Sequence, residues 1–108
     1  TSPLIESKDL DNGIEIQQTC DSVVSVCDLT QLLWNDNGPL YDIENRKRRQ
    51  DSSKVYLETG SFFITSRKGL IKSKNRLNGH IKFAKIAKYK SIDIDCNEDL
   101  ELARKLMV

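Results

Sequence analysis

The chain has 108 residues, enough for one domain or part of one and for a modest core. Charged residues make up 31% and nearly cancel at +1, so nothing global drives the chain toward nucleic acid or an anionic surface. The hydrophobic fraction is 38% and interrupted, which excludes a transmembrane helix, and no signal-peptide pattern opens the sequence.

Ser7 is a candidate helix cap, with Asp9 and Asp11 near the positive end of the dipole and Leu10 and Ile14 on one face. The helix is expected from about Ser7 to Thr19, weakened inside by Gly13. Cys20, Cys27 and Cys96 are odd in number and form no C-x-x-C pair, which fits reduced thiols in a cytoplasmic protein. "SVVSVCDL" (Ser22–Leu29) is β-branched and apolar and predicts a buried strand. Asp36-Asn37-Gly38 between two apolar runs predicts a hairpin, with Pro39 confining its second arm to an edge.

A polar, basic loop follows, "ENRKRRQDSSK", and then an extended strand, "VYLETGSFFIT", bent or bulged at Gly60. A short helix should close near Lys74 or Asn75, with a turn at Asn78-Gly79 that leaves His80 on the surface. "IKFAKIAKY" reads as an edge strand, since its lysines leave one side wet. Ser91–Asp95 reads as a strand end, and Asn97–Met107 as a helix with Leu100, Ala103, Leu106 and Met107 on one stripe. Asp99 sits where a capping-box acid would, but cysteine is a poor cap, so Asp95 or Asn97 competes with Cys96 for that role. Strands alternating with helices predict an α/β sheet.

Asp93 and Asp95 are the candidate metal pair. On a strand, residues i and i+2 share a face, with Ile92 and Ile94 turned the other way. Two carboxylates at the carboxyl end of such a strand offer oxygen ligands to Mg²⁺, where open α/β sheets bind ligands. The plainer reading is that one aspartate caps the next helix and the other is solvated. Arg48-Arg49-Gln50 offers guanidinium forks for a carboxylate or phosphate, or else a solvated loop. Acidic neighbours Asp42, Glu44 and Asp51 argue against nucleic acid there. Thr1 and Ser2 are hydrogen-bond donors or simple turn residues. Tyr56, Phe62 and Phe63 line a pocket or belong to the core, and Trp34 packs at an interface or staples the hairpin.

"SIDIDCNEDLELA" (Ser91–Ala103) resembles the S-I-D-I-D-T-x-x-D-L-x-x-A signature of the CMP-sialic acid synthetases, the acylneuraminate cytidylyltransferases. "TSPL" (Thr1–Leu4), "DSVVSVCD" (Asp21–Asp28) and "NRKRRQDSSKVYLETGSFFI" (Asn45–Ile64) are similar, in order, to further stretches of that family. The resemblance implies the C-terminal part of one cytidylyltransferase domain over residues 1–108. The sheet would be a Rossmann-like nucleotidyltransferase mixed sheet, with a dimerisation hairpin and basic loop at about residues 30–55 and a homodimer as the assembly. It implies transfer of CMP from CTP to a nonulosonic acid with release of pyrophosphate. Asp93 and Asp95 would hold Mg²⁺ and act in catalysis. Arg49, Gln50, Phe63 and Thr59 would contact the acid sugar, and Thr1 and Ser2 the nucleotide.

The sequence departs from that pattern at Ile5, Leu57, Thr59 and Phe63, which stand where the family usually has Arg, Arg, Asn and Tyr. The glycine- and lysine-rich triphosphate loop of the family is not among the 108 residues. The chain alone is therefore expected to be inactive. A non-catalytic module dimerising through the hairpin is the competing expectation.

Overall fold

The computed structural model describes residues 1–29, 31–46 and 54–107. Three strands form a mixed sheet in the order β4–β1–β5: β1 (Ser22–Leu29), β4 (Val55–Thr65) and β5 (Ile81–Lys85). The middle strand, β1, runs antiparallel to β4 and parallel to β5. Its first six residues are buried, so its β-branched run fits a position with neighbours on both edges.

Helix α1 (Ser7–Gln17) packs on one face of this sheet. Val23, Cys27, Phe62, Ala84 and Ile86 form the core there, joined by Ile5, Ile16, Cys20 and Ile64. Phe62 is thus a core residue, and Ile5 packs against that core. Gly13 marks the closest helix–sheet approach, because a Cβ there would come within 2.7 Å of Ile64 Cδ1 and 2.9 Å of the Phe62 ring. The opposite face carries tilted rings of Tyr56 and Phe83, 4.5 Å apart, and Phe63 beneath the Arg76 guanidinium.

The strand β4 does not follow β1 evenly. The register runs from Val24↔Phe63 to Val26↔Glu58, so residues 59–62 of β4 lie opposite Ser25 alone. Gly60 supplies the left-handed conformation this requires, with φ +71°. Ser25 replaces the lost ladder bonds: its Oγ accepts from the Phe62 N–H at 3.0 Å and lies 2.8 Å from the Thr59 hydroxyl.

A two-residue-arm hairpin pairs β2 (Trp34–Asn35) with β3 (Gly38–Pro39) around Asp36-Asn37, at the expected turn. Trp34 meets Tyr41 edge-to-face at 6.1 Å and stays 62% exposed. Helix α2 (Arg67–Ser73) is capped by Ser66, whose hydroxyl accepts from the Gly69 N–H, and it ends at Lys74 in the left-handed conformation. Helix α3 (Asn97–Leu106) buries Ala103 and leaves Leu106 and Met107 exposed. The three cysteines are free thiols. Among the described residues, no helix is long and apolar enough to cross a membrane.

Two expectations need correction. Helix α1 is capped by Glu6 rather than Ser7, because Asp9 three residues on accepts from the Glu6 N–H at 2.9 Å. Ser91–Asp95 is not a strand. The β-ladder ends with the Ile86 N–H bonded to Val26 O, and the chain then makes a 3₁₀ turn over Lys88–Ser91 and runs on irregularly to α3. The turn carries Lys90 toward the first turn of α1, a course that extended backbone beside β5 would not take.

Replacing Ser25 by Ala leaves a buried Phe62 N–H without its acceptor, and chemical denaturation should report a loss of about 1–3 kcal/mol.

Candidate functional site

The strands β1 and β5 are parallel, so their carboxyl ends lie on one side of the sheet. The amino end of α1 lies on that side too, since its other end abuts the start of both strands. There the Lys82 ammonium donates to Thr19 Oγ1 at 2.9 Å, and the Asp21 N–H donates to His80 O at 3.0 Å. At the carboxyl side, the segment leaving β5 meets the residues leading into α1.

The contact between them is specific. The Ile94 N–H donates to the Thr1 carbonyl at 2.8 Å. Asp93 and Asp95 therefore bracket the residue whose amide is bonded to Thr1. Ser2, Pro3 and Leu4 are half-buried beside it in sequence, while Thr1 is exposed.

Asp93 and Asp95 have different surroundings. Asp93 is half-buried, and its Oδ1 is shut away from solvent with no hydrogen-bond partner among the described residues. Asp95 is exposed. The Asp95 N–H donates to Asp99 Oδ2 at 3.0 Å, and the Cys96 N–H donates to the same oxygen at 3.2 Å. Cys96 is thus the α3 cap residue, with Asp99 closing the box, rather than Asp95 or Asn97. The Asp95 and Cys96 N–H groups and the Cys96 thiol hold the Asp99 carboxyl below its ordinary value, Asp95 contributing most.

On the other side, Lys90 is 4% exposed. Its ammonium donates to both Asp9 oxygens, at 3.0 and 3.2 Å, and lies 3.8 Å from Glu6 Oε1. Burial pushes the Asp9 carboxyl up, but the Glu6 N–H and the Lys90 ammonium, with Lys8 nearby, outweigh it, and the net shift is downward. The bond to Asp9 raises Lys90 against its burial, with Glu6 and Tyr89 adding to the rise.

The remaining predicted residues lie elsewhere. The Thr59 hydroxyl is buried in the β1–β4 irregularity, bonded to Ser25. Phe63 pairs with Val24 near the amino end of β1, on the face opposite Ile64 and α1. Arg49 and Gln50 lie outside the described residues. The structure therefore brings Thr1 together with the Asp93–Asp95 segment, commits the Thr59 hydroxyl to Ser25, and sets Phe63 opposite Val24. Sequence reasoning missed Lys90, which follows the lysine-bearing edge-strand stretch Ile81–Tyr89 and was assigned no role. Its only outward signal was its place directly before the S-I-D-I-D run.

A Mg²⁺ ion, expected from the resemblance, would draw on Asp93 and Asp95. No group of three or more His, Cys, Asp or Glu that could hold a metal ion occurs among the described residues. Mg²⁺ commonly takes one or two carboxylates and completes its shell with water and phosphate oxygens. The partnerless, solvent-excluded Asp93 Oδ1 is the acceptor that a cation would satisfy.

Comparison of the chain with protein-family models and with curated proteins gives no match.

Asp9 has a lowered folded-state pKa, so its contribution to stability is complete above the unfolded value near 3.8 and is lost as pH falls through the folded value. Lys90 is raised, so its share is complete below 10.5 and is lost as pH rises through its folded value. Thermal melts across pH should show a plateau between these limits, and Asp9→Asn should flatten part of the acid limb, the rest belonging to carboxylates such as Asp99.

Proposed function

We propose that the chain is the C-terminal part of a CMP-nonulosonate cytidylyltransferase of the acylneuraminate type, built on a Rossmann-like nucleotidyltransferase sheet. The observation that carries this reading is the meeting of Thr1 with the Asp93–Asp95 segment at the carboxyl side of β1 and β5, with Asp93 Oδ1 buried and unpartnered. In an α/β sheet that is where nucleotides and their metals bind. The resemblance assigns the same two stretches to nucleotide and metal.

In this reading Asp93 and Asp95 hold Mg²⁺, and Thr1 and Ser2 donate hydrogen bonds to the cytidine. Arg49, supported by Gln50, receives the carboxylate of the acid sugar through a bidentate fork. Thr59 spends its hydroxyl inside the sheet, and Phe63 lies beyond the site, so the acceptor contacts centre on Arg49 and Gln50. The sugar hydroxyl attacks the α-phosphorus of CTP: an O–P bond forms, the bond to the β-phosphate bridging oxygen breaks, and pyrophosphate leaves as the hydroxyl proton is released. Bound Mg²⁺ would supply neutralisation of the triphosphate charge. The protein's own contribution is positioning, with reactants held in line at one end of the sheet.

The 108 residues hold no loop of the kind that cradles a triphosphate. This chain should therefore bind the cation and, without a partner that supplies the loop, release no pyrophosphate from CTP, Mg²⁺ and a nonulosonic acid. Clear turnover would refute the need for that loop. Titration calorimetry should detect Mg²⁺ binding that Asp93→Asn weakens by about tenfold or more, since even outer-shell changes cost about 10–100-fold. Unchanged binding in that variant would sink the metal assignment.

The assembly in this reading is a homodimer joined through the hairpin. Trp34 on β2 and Leu40 and Ile43 just past β3 are 62%, 61% and 58% exposed, apolar surface that a partner could cover. Sedimentation should give a dimer for the native chain and a monomer for a Trp34→Asp/Leu40→Asp variant. A native monomer would remove the hairpin from this role.

A further inference from the structure

We infer that Lys90 is a positioning residue: it fixes the Asp93–Asp95 segment against Thr1 and Ser2 without touching either ligand. The inference rests on the reading of that locus as a metal–nucleotide site, and it adds how the site is held in register.

Between the last ladder bond of β5, at Ile86, and the first turn of α3, the turn packs against β1 and β4, and few hydrogen bonds or ion pairs among the described residues tie the stretch to the elements around it. The Ser91 hydroxyl and the Lys90 N–H bond only within the turn, to Lys88 O and Ala87 O. The Ile94 N–H bond to Thr1 is a single neutral hydrogen bond to the start of the chain. The Asp95 and Cys96 N–H bonds to Asp99 tie the segment forward, to its own helix. Lys90 is the fastening that reaches back to α1, and it is a charged one, with its side chain 5% exposed and that of Asp9 11% exposed.

The chemistry of the partner makes that fastening rigid. Asp9 Oδ2 accepts at once from the Glu6 N–H, at 2.9 Å, and from the Lys90 ammonium, at 3.0 Å. One carboxylate thus closes the amino end of α1 and grips the turn before Asp93. Glu6 and Asp9 lie shortly after Thr1–Leu4, with Ile5 between Leu4 and Glu6, so the grip is applied next to the segment whose carbonyl receives the Ile94 amide. A buried ammonium cannot drift without leaving both charges unpaired out of water. The distance between Thr1 and the acid pair is set by this link, much as an outer-shell partner orients a metal ligand.

The test must separate positioning from simple loss of fold. Lys90→Met leaves Asp9 unpaired, whereas Asp9→Asn/Lys90→Met removes both charges and keeps an acceptor for the Glu6 N–H. Amide hydrogen exchange is read at Ile94 and, as an internal reference for the sheet, at Val24. In the double variant, Ile94 should exchange faster by about tenfold or more while Val24 stays within about threefold of the native rate. Mn²⁺ titration followed by electron paramagnetic resonance should show about 10–100-fold weaker binding in the same variant. Native Ile94 protection in the double variant overturns the inference whatever the Mn²⁺ result. Faster Ile94 exchange with undiminished Mn²⁺ affinity also overturns it, because the link would then be structural only. If the native chain binds no Mn²⁺, the metal reading fails, and the exchange rates alone decide whether Lys90 sets the register.

Discussion

The middle strand of the sheet has to satisfy two unlike neighbours at once. Its parallel edge with β5 keeps an even register from Ser22 to Val26, while its antiparallel edge with β4 breaks at Ser25. A buried serine in an otherwise apolar strand looks like a weakness until the break is considered. The hydroxyl takes over where the ladder fails, and the freed backbone of Phe62 finds its acceptor there. The parallel edge has a further consequence. It places the carboxyl ends of two strands together, and the chain leaving β5 must cross that end to reach α3. The location of the candidate site follows from the sense of β5 more than from any single residue.

Much of this was legible because local chemistry and tertiary demand agree. The β-branched run of β1, the Asp-Asn-Gly turn, Gly60 at the break and Ser66 before α2 each carry a conformational preference that the fold uses. The misreadings arise where a long-range partner overrides local preference. Ser7 is a better cap by type than Glu6, but the reciprocal bonds between Glu6 and Asp9 shift the start by one residue. Ser91–Asp95 alternates like a strand, yet lies past the end of the ladder, and the Lys90 ammonium draws it into a turn toward Asp9, 81 residues away. No window of sequence contains both partners of that pair.

The candidate site was half legible for the same reason. The D-x-D spacing marked the acids, but strand alternation implied two equivalent carboxylates on one face. Irregular backbone gives them unequal surroundings instead, one with an oxygen closed to solvent and one exposed. In the proposed function the sheltered oxygen would hold the ion while the exposed aspartate would face the phosphate. Thr59 shows the converse. The resemblance alone gave it a role in binding, and its hydroxyl lies bonded to Ser25 inside the sheet.

The two helix amino ends complete the electrostatic picture. Asp9 closes the first turn of α1 and Asp99 the first turn of α3, and each also holds one end of the segment between Lys90 and Cys96. The segment that carries the acids at 93 and 95 is therefore tied at each end to the first turn of a helix longer than two turns. Such ends favour negative charge nearby. They offset part of the repulsion that two carboxylates and an incoming polyphosphate would exert on one another. The capping carboxylates take the nearest N–H donors for themselves, so what remains for a ligand is the field rather than the hydrogen bonds. A cation shared by both aspartates would then have to supply the direct contacts, which is why the ion, more than the helix ends, decides whether this locus can hold a nucleotide.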